Sequence, residues 1–176
     1  MPSLYAQPIT ADAFAPYGEM LGKPFPARPG VPAFTNAATD FWREHLFDPG
    51  QDGVPEILWV NYRASGPVTH LEKHLLTQQA IVPLTGSIVH VVARSLPDGR
   101  PDLATLAAFA IPPGQGLCMA PHCWHATRVA AQEVACLMLT RQSTTLDLVT
   151  HLQDGRDATE SAIEAVPEIA WQLPGR

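Results

Sequence analysis

Eighteen prolines and 12 glycines are spread along the whole of a 176-residue chain. A proline inside a helix removes a hydrogen bond and clashes with the preceding turn, so punctuation this dense leaves little room for long helices. Short strands joined by turns remain. With 46% hydrophobic and 16% charged residues the chain has material for a buried core and too little charge for a disordered one. The length suits a single domain over residues 1–176.

Strand-like runs are concentrated in the middle of the chain. Ile57-Leu58-Trp59-Val60-Asn61-Tyr62-Arg63 alternates with period two and stops at Ser65-Gly66-Pro67. Further β-type runs cover Gln79 to Leu84, Ser87 to Ala93, Ala107 to Ile111, Gly116 to Ala120, Ala126 to Ala130, Ala135 to Arg141 and Leu146 to His151. Thr85-Gly86, Pro97-Asp98-Gly99 and Pro112-Pro113-Gly114 supply turns between them. About eight short strands at this spacing predict an all-β antiparallel sandwich or barrel with short peripheral helices.

The barrel core is expected over 56–151, with an N-terminal segment 1–55 packed on it and a C-terminal segment 152–176. Thr10 can cap a helix over Ala11 to Tyr17 that Gly18 ends. Pro24 to Thr35 reads as an extended arm with little internal hydrogen bonding, of the kind that crosses a neighbouring subunit. Asp40 to Phe47 suits a turn of helix, and the acidic stretch Asp154 to Glu168 a short outer helix.

Charge and composition exclude several functions. Eleven basic against 17 acidic residues give −6, and the scattered Lys and Arg build no phosphate-tracking stripe, so nucleic acid is not an expected partner. No apolar run approaches the roughly 20 residues of a membrane helix, and Met1-Pro2-Ser3-Leu4-Tyr5 has neither a basic nor an apolar leader region. A cytoplasmic protein without membrane contact is expected. Cys118, Cys123 and Cys136 are odd in number and lack zinc-knuckle spacing, which reads as reduced, half-buried thiols. No Gly-x-Gly-x-x-Gly, Walker loop or Gly-x-Ser-x-Gly is present, so nucleotide binding and nucleophilic hydrolysis lose support.

Histidines carry the positive signal. His70 and His74 precede one strand pair, and His122 and His125 follow the Pro-Gly turn that opens a later strand. On a strand, Glu72 and His74 point to the same face, inward, and Lys73 outward. His70 reads as a solvated loop residue; His45, His90 and His151 read as surface or edge histidines. Arg63 and Arg141 close two strands, where an arginine either holds a substrate carboxylate at a barrel mouth or caps the surface.

The spacing Glu72-x-His74-x4-Gln79-x6-Gly86 resembles the first motif of the cupin superfamily, and Pro113-Gly114 with Pro121-His122-Cys123-Trp124-His125 resembles the second. The resemblance implies a cupin-type (RmlC-like) barrel or jelly roll with Glu72, His74, Gln79 and His125 as an inward set. Mixed nitrogen and oxygen ligands suit Ni, Mn, Fe or Zn better than Ca, and leave one or two open positions. The other reading of the same residues is a metal-free barrel in which Gln79 hydrogen-bonds across an apolar interior.

Leu71-Glu72-Lys73-His74-Leu75-Leu76-Thr77-Gln78-Gln79-Ala80-Ile81-Val82-Pro83-Leu84 is similar to the ureidoglycolate lyase family, formerly called ureidoglycolate hydrolase. The likeness extends to Ala13-Phe14, Tyr17-Gly18, Arg63-Ala64, Pro101-Asp102-Leu103, Gly116, Trp124-His125 and Arg141. It implies a homodimeric enzyme of allantoin (purine) degradation that splits a small acidic substrate, ureidoglycolate, into glyoxylate and urea. In that reading a divalent ion binds the substrate's carboxylate and hydroxyl, Arg63 or Arg141 pairs with the carboxylate, and His122 is a candidate proton donor. The chain departs from the family at Cys118-Met119-Ala120-Pro121, where Asn-Tyr-His-Arg is usual, at Ala126 in place of His and at Thr140 in place of Asp. These departures remove polar groups and keep open two alternatives: a metal-dependent cupin acting on another small acid, and a non-catalytic small-ligand binding module.

Overall fold

The computed structural model describes residues 3–26 and 30–173. In chain order its elements are β1 (Ser3–Tyr5), β2 (Gln7–Pro8), α1 (Ala11–Phe14), β3 (Gly18–Leu21), β4 (Ala33–Thr35), β5 (Asp40–Trp42), β6 (Pro55–Tyr62), β7 (Val68–His74), β8 (Gln79–Pro83), β9 (Ile88–Ser95), β10 (Pro101–Ile111), β11 (Gly116–Met119), β12 (Trp124–Arg128), β13 (Val134–Arg141), α2 (Gln142–Asp154) and β14 (Ser161–Gln172). A seven-stranded sheet in the order β1-β14-β7-β12-β9-β10-β2 faces a five-stranded sheet in the order β3-β11-β8-β13-β6. The result is the expected all-β barrel with few helices.

The interior is filled from both sheets. Ile81, Leu117, Val134, Cys136 and Met138 from the smaller sheet meet Ile88, Val92, Phe109 and Ile111 from the larger one. A second cluster, including Val68, Leu71, Val89, Val91, Trp124 and Ile169, covers the other face of the large sheet. The middle strand β9 is therefore buried on both faces from Ile88 to Ala93, and its sequence is an apolar run without alternation. On β6 the alternation is visible: Glu56, Leu58, Val60 and Tyr62 turn inward, and Ile57, Trp59 and Asn61 outward.

Several expectations are corrected. Leu146 to His151 lies inside α2, which Gly155 ends in the left-handed conformation with its N–H donating to the His151 carbonyl. A six-residue stretch with three apolar residues and no turn signal inside it fits helix and strand equally, and the glycine cap decides it. The outer helix expected over Asp154 to Glu168 is replaced from Ser161 onward by β14, which pairs antiparallel with β7 and parallel with β1. Its register shifts between Ala165 and Ile169, around Pro167, a residue that has no ladder N–H to give. The barrel thus takes strands from both ends of the chain as well as from 56–151.

Asp40 to Phe47 is not helical: β5 pairs with β4 as a separate hairpin, and the residues from Arg43 to Phe47 have no regular secondary structure. Residues 27–29 of the proline-rich arm lie outside the described residues. The arm on either side folds back on its own chain, with Phe25 edge-on to Trp42 and Lys23 N–H donating to Glu44. Thr10 caps α1 through the Ala13 N–H, and the helix stops at Phe14, short of Tyr17. The three cysteines are free, and buried rather than half-buried.

Candidate functional site

Strand β7 sets Glu72 and His74 on its inward face, and β12 brings His125 directly opposite Glu72. His125 Nε2 lies 3.4 Å from Glu72 Oε1, and one ligand atom each of Glu72, His74 and His125 fall within 4.8 Å of one another. Gln79 opens β8 on the facing sheet and reaches across, its amide nitrogen 2.8 Å from His74 Nε2. Both halves of the sequence motif therefore meet inside one end of the barrel.

Hydrogen bonds fix which ring nitrogens are available. His125 Nδ1 lies 3.0 Å from the Cys123 carbonyl, which only accepts, so Nδ1 carries the proton and Nε2 keeps its lone pair. That Nε2 is buried and has no hydrogen-bond partner. His74 Nδ1 is 3.0 Å from Ser161 Oγ, a bond that lets Nε2 face the site in the same way. Rings anchored through Nδ1 with Nε2 turned inward, beside a carboxylate, are the arrangement of metal-ligating histidines. The Gln79 amide now donates to His74 Nε2; a half-turn about its last torsion would present Oε1 at that position. The donor set fits a divalent transition metal, since ligands sharing such an ion with bonds near 2.0–2.1 Å sit at most roughly 4.2 Å apart, a small contraction from the spacing present.

The electrostatics agree. Burial opposes the Glu72 charge, but the adjacent His125 ring, together with the fields of His74 and His90, holds the carboxyl at about 2. Burial, aided by His125 and opposed by Glu72, pushes His74 down to about 4. At neutral pH the pair is a carboxylate and a neutral imidazole, both ready to act as ligands.

His90 corrects the surface reading. It is fully buried, stacked on His125 with ring centroids 5.6 Å apart, and bonded through Nδ1 to Thr127 Oγ1 at 3.0 Å. Burial holds it well below the usual histidine value. His74 and His90 are thus neutral in the fold and protonated in the unfolded chain once the pH drops below about 6.5. Their contribution to stability is complete above that pH and is lost as the pH falls toward 4. Chelator-treated protein is expected to lose about 3 kcal/mol of unfolding free energy from His74 alone between pH 7 and pH 4, because each tenfold drop in its proton affinity on folding is worth about 1.36 kcal/mol. Urea melts across that range check it; a flat profile would contradict the buried, neutral state.

Other sequence-picked residues lie elsewhere. Arg63 lies just beyond the end of β6 and pairs with Glu133 on the surface. Arg141 points outward from β13 and spends its guanidinium on Ser143 Oγ and the Pro49 and Gln51 carbonyls. His122 has φ +65 and an exposed side chain; its backbone N–H donates to the His74 carbonyl. It borders a small outer cavity of about 150 Å³ with Tyr17, Arg94 and Ser95. The structure therefore brings Glu72, His74, Gln79 and His125 together and leaves Arg63, Arg141 and His122 outside that cluster. His70 lies on β7, not in a loop, with its side chain exposed. Lys73 takes the opposite face from Glu72 as expected, yet is buried, its ammonium 4.6 Å from the Trp124 ring centre and bonded to the Gly99 carbonyl.

Three inward residues carry no motif and escape the sequence reading. Tyr62 lies beside Thr127, and burial, opposed by Thr127 and aided by Glu72, raises its hydroxyl above the usual tyrosine value. Glu56 and Thr140 are opposite one another on β6 and β13. The period-two alternation of β6 already marks Glu56 and Tyr62 as same-face residues. A larger cavity of about 670 Å³, bordered by Ile9, Met20, Lys23, Phe25, Trp42 and Glu44, holds none of the motif residues.

Residues 1–160 match the family model described as ureidoglycolate lyase. A ureidoglycolate lyase of Burkholderia mallei (strain NCTC 10229) is 30% identical over 178 aligned residues, covering 97% of this chain and 94% of that protein. One of Rhodobacter capsulatus is 31% identical, covering 71% of this chain and 77% of its own. Among solved structures, a dTDP sugar isomerase from Desulfovibrio desulfuricans G20 aligns over 86% of this chain and 84% of its own with a TM-score of 0.45 and 14% identity.

Proposed function

Since the chain belongs to the ureidoglycolate lyase family, we propose that it splits ureidoglycolate into glyoxylate and urea, a step of allantoin degradation, at the cluster of Glu72, His74, Gln79 and His125. The observation that carries this reading is the buried, unpartnered Nε2 of His125 beside the Glu72 carboxylate, with both histidines anchored through Nδ1.

Glu72, His74, Gln79 and His125 would hold a divalent ion of the Ni, Mn, Fe or Zn group. When bound, the ion supplies positive charge that binds the substrate carboxylate and lowers the pKa of the adjacent hydroxyl. The chain's own contribution is to keep Glu72 ionised and His74 neutral, to fix the His125 tautomer through the Cys123 carbonyl, to anchor the His74 ring on Ser161, and to set the apolar side chain of Met119 against Gln79 and His90. Chemical balance needs no outside acid: the carbinol oxygen gives up one proton as it becomes the aldehyde of glyoxylate, and the departing urea nitrogen takes up one. Arg63 and Arg141 have no part in this account because both point away from the cluster. Purified protein supplied in turn with each of these metals is expected to release equimolar glyoxylate and urea with at least one of them. Release with none would refute the assignment.

The same reading includes a homodimer in the cytoplasm. No helix among the described residues is long and apolar enough to cross a membrane, and three free, buried thiols suit a reducing compartment. β6 is an edge strand whose outward Ile57 and Trp59 are 69% and 67% exposed, and Leu146 on α2 is 62% exposed. Exposed edges and apolar faces of this kind are normally covered. Light scattering should give twice the 19.0 kDa chain mass for the wild type and a single chain for Trp59→Glu; a monomeric wild type would remove the dimer.

A further inference from the structure

Among the described residues three buried side-chain polar atoms have no hydrogen-bond partner: His125 Nε2, Thr140 Oγ1 and Glu56 Oε1. Folded proteins rarely leave such atoms unpaired, because each costs on the order of 1–3 kcal/mol. The metal-ligand role accounts for the first and leaves the other two.

Those two are neighbours. Glu56 and Thr140 are direct cross-strand partners on β6 and β13, both on the interior face, with Thr140 only 2% exposed. β13 pairs with β8 so that Leu139 faces Ala80, and one further step in this register sets Thr140 beside Gln79. Gln79 in turn faces Met119 on β11 and touches His74. Across the interior wall of the small sheet runs the order Met119, Gln79, Thr140, Glu56, with the two orphaned groups on the side of Gln79 away from Met119. Directly opposite side chains in such a ladder have Cβ atoms about 5 Å apart, so Thr140 adjoins the cluster and Glu56 is one strand further.

The chemistry of the pair selects a ligand. A carboxylate only accepts, and a threonine hydroxyl both donates and accepts. Together they complement a planar group that presents N–H donors beside a carbonyl oxygen. We propose that Thr140 and Glu56 form a subsite for a neutral carbamoyl or ureido group, Thr140 donating to its carbonyl oxygen and Glu56 accepting from its N–H groups. Resting on the lyase reading, this places the urea-yielding end of the substrate along β13 and β6, with its carboxylate end at the histidines.

The test compares two stable acids on metal-loaded protein by titration calorimetry: oxalurate, which carries a ureido group, and oxalate, which has the acid head alone. Wild type is expected to prefer oxalurate. Thr140→Val and Glu56→Gln should each weaken oxalurate about tenfold, the cost of one lost hydrogen bond at a buried group, while leaving oxalate and metal affinity unchanged. Both variants keep side-chain volume, and removing the unpartnered Thr140 hydroxyl should leave the melting temperature unchanged or raise it. No preference for oxalurate in the wild type, or equal weakening of both acids in the variants, would overturn the subsite. A preference that the variants abolish, in protein that releases no urea from ureidoglycolate, would keep the subsite and refute the lyase reading.

Discussion

His125→Ala is expected to abolish stoichiometric metal binding and to lower urea release on the order of 10³-fold, the several kcal/mol of a Lewis-acid ion at 1.36 kcal/mol per tenfold. The residue is 3% exposed, its Nδ1 is committed to the Cys123 carbonyl and its Nε2 has no other partner in the fold. Removing the ring also removes the stacking surface of His90 and the nearest neighbour that helps keep Glu72 ionised. His125→Gln fills similar space with a different donor, so it separates lost ligation from lost packing. Folded His125→Ala protein that keeps its metal would show that the ion sits elsewhere.

Phe109→Ala should be the most damaging single change in the core, costing about 3–5 kcal/mol. Its ring is fully buried on β10, meets Phe14 edge-on with centroids 5.3 Å apart and lies 6.0 Å from Tyr17. Phe14 belongs to the four-residue helix α1, whose own hydrogen bonds are too few to hold it in place, so this aromatic trio fixes the N-terminal segment to the barrel. For a chain of this length the loss corresponds to a fall of roughly 10 °C in the melting temperature. A loss below about 1 kcal/mol would mean that α1 does not pack as described.

The central strands are legible because burial writes itself into the sequence. On β6 and β13 one face is covered, and the alternation that follows places both strands within a residue or two. Pro112, Pro113 and Gly114 mark the turn before β11 because Gly114 takes φ +86 there. Where both faces are buried the signal fails. His90 sits in an unbroken apolar run, so no alternation reveals that it faces inward beside His125. Acidic content suggests a solvated helix where β14 adds a strand to β7, because pairing with a distant partner leaves no local mark.

At the site, the spacing of Glu72, His74 and Gln79 identifies the residues that meet, and the turn before β12 identifies His125. The arginines mislead because a residue that ends a strand points to either face according to its parity: Arg141 falls on the outward face of β13, and Arg63, just past β6, pairs on the surface with Glu133. Thr140 stands out only as a departure from the family pattern, and Glu56 carries no motif. Their relation depends on the register of β6, β13 and β8, which the fold alone supplies.

The most direct test of a metal-centred lyase is the elemental content of untagged protein measured beside a Glu72→Ala/His74→Ala double variant, with urea release followed on the same samples. The account predicts about one divalent ion per chain and urea from ureidoglycolate in the wild type, and neither in the folded variant. A metal-free wild type that still releases urea, or a double variant that keeps both ion and activity, would contradict it.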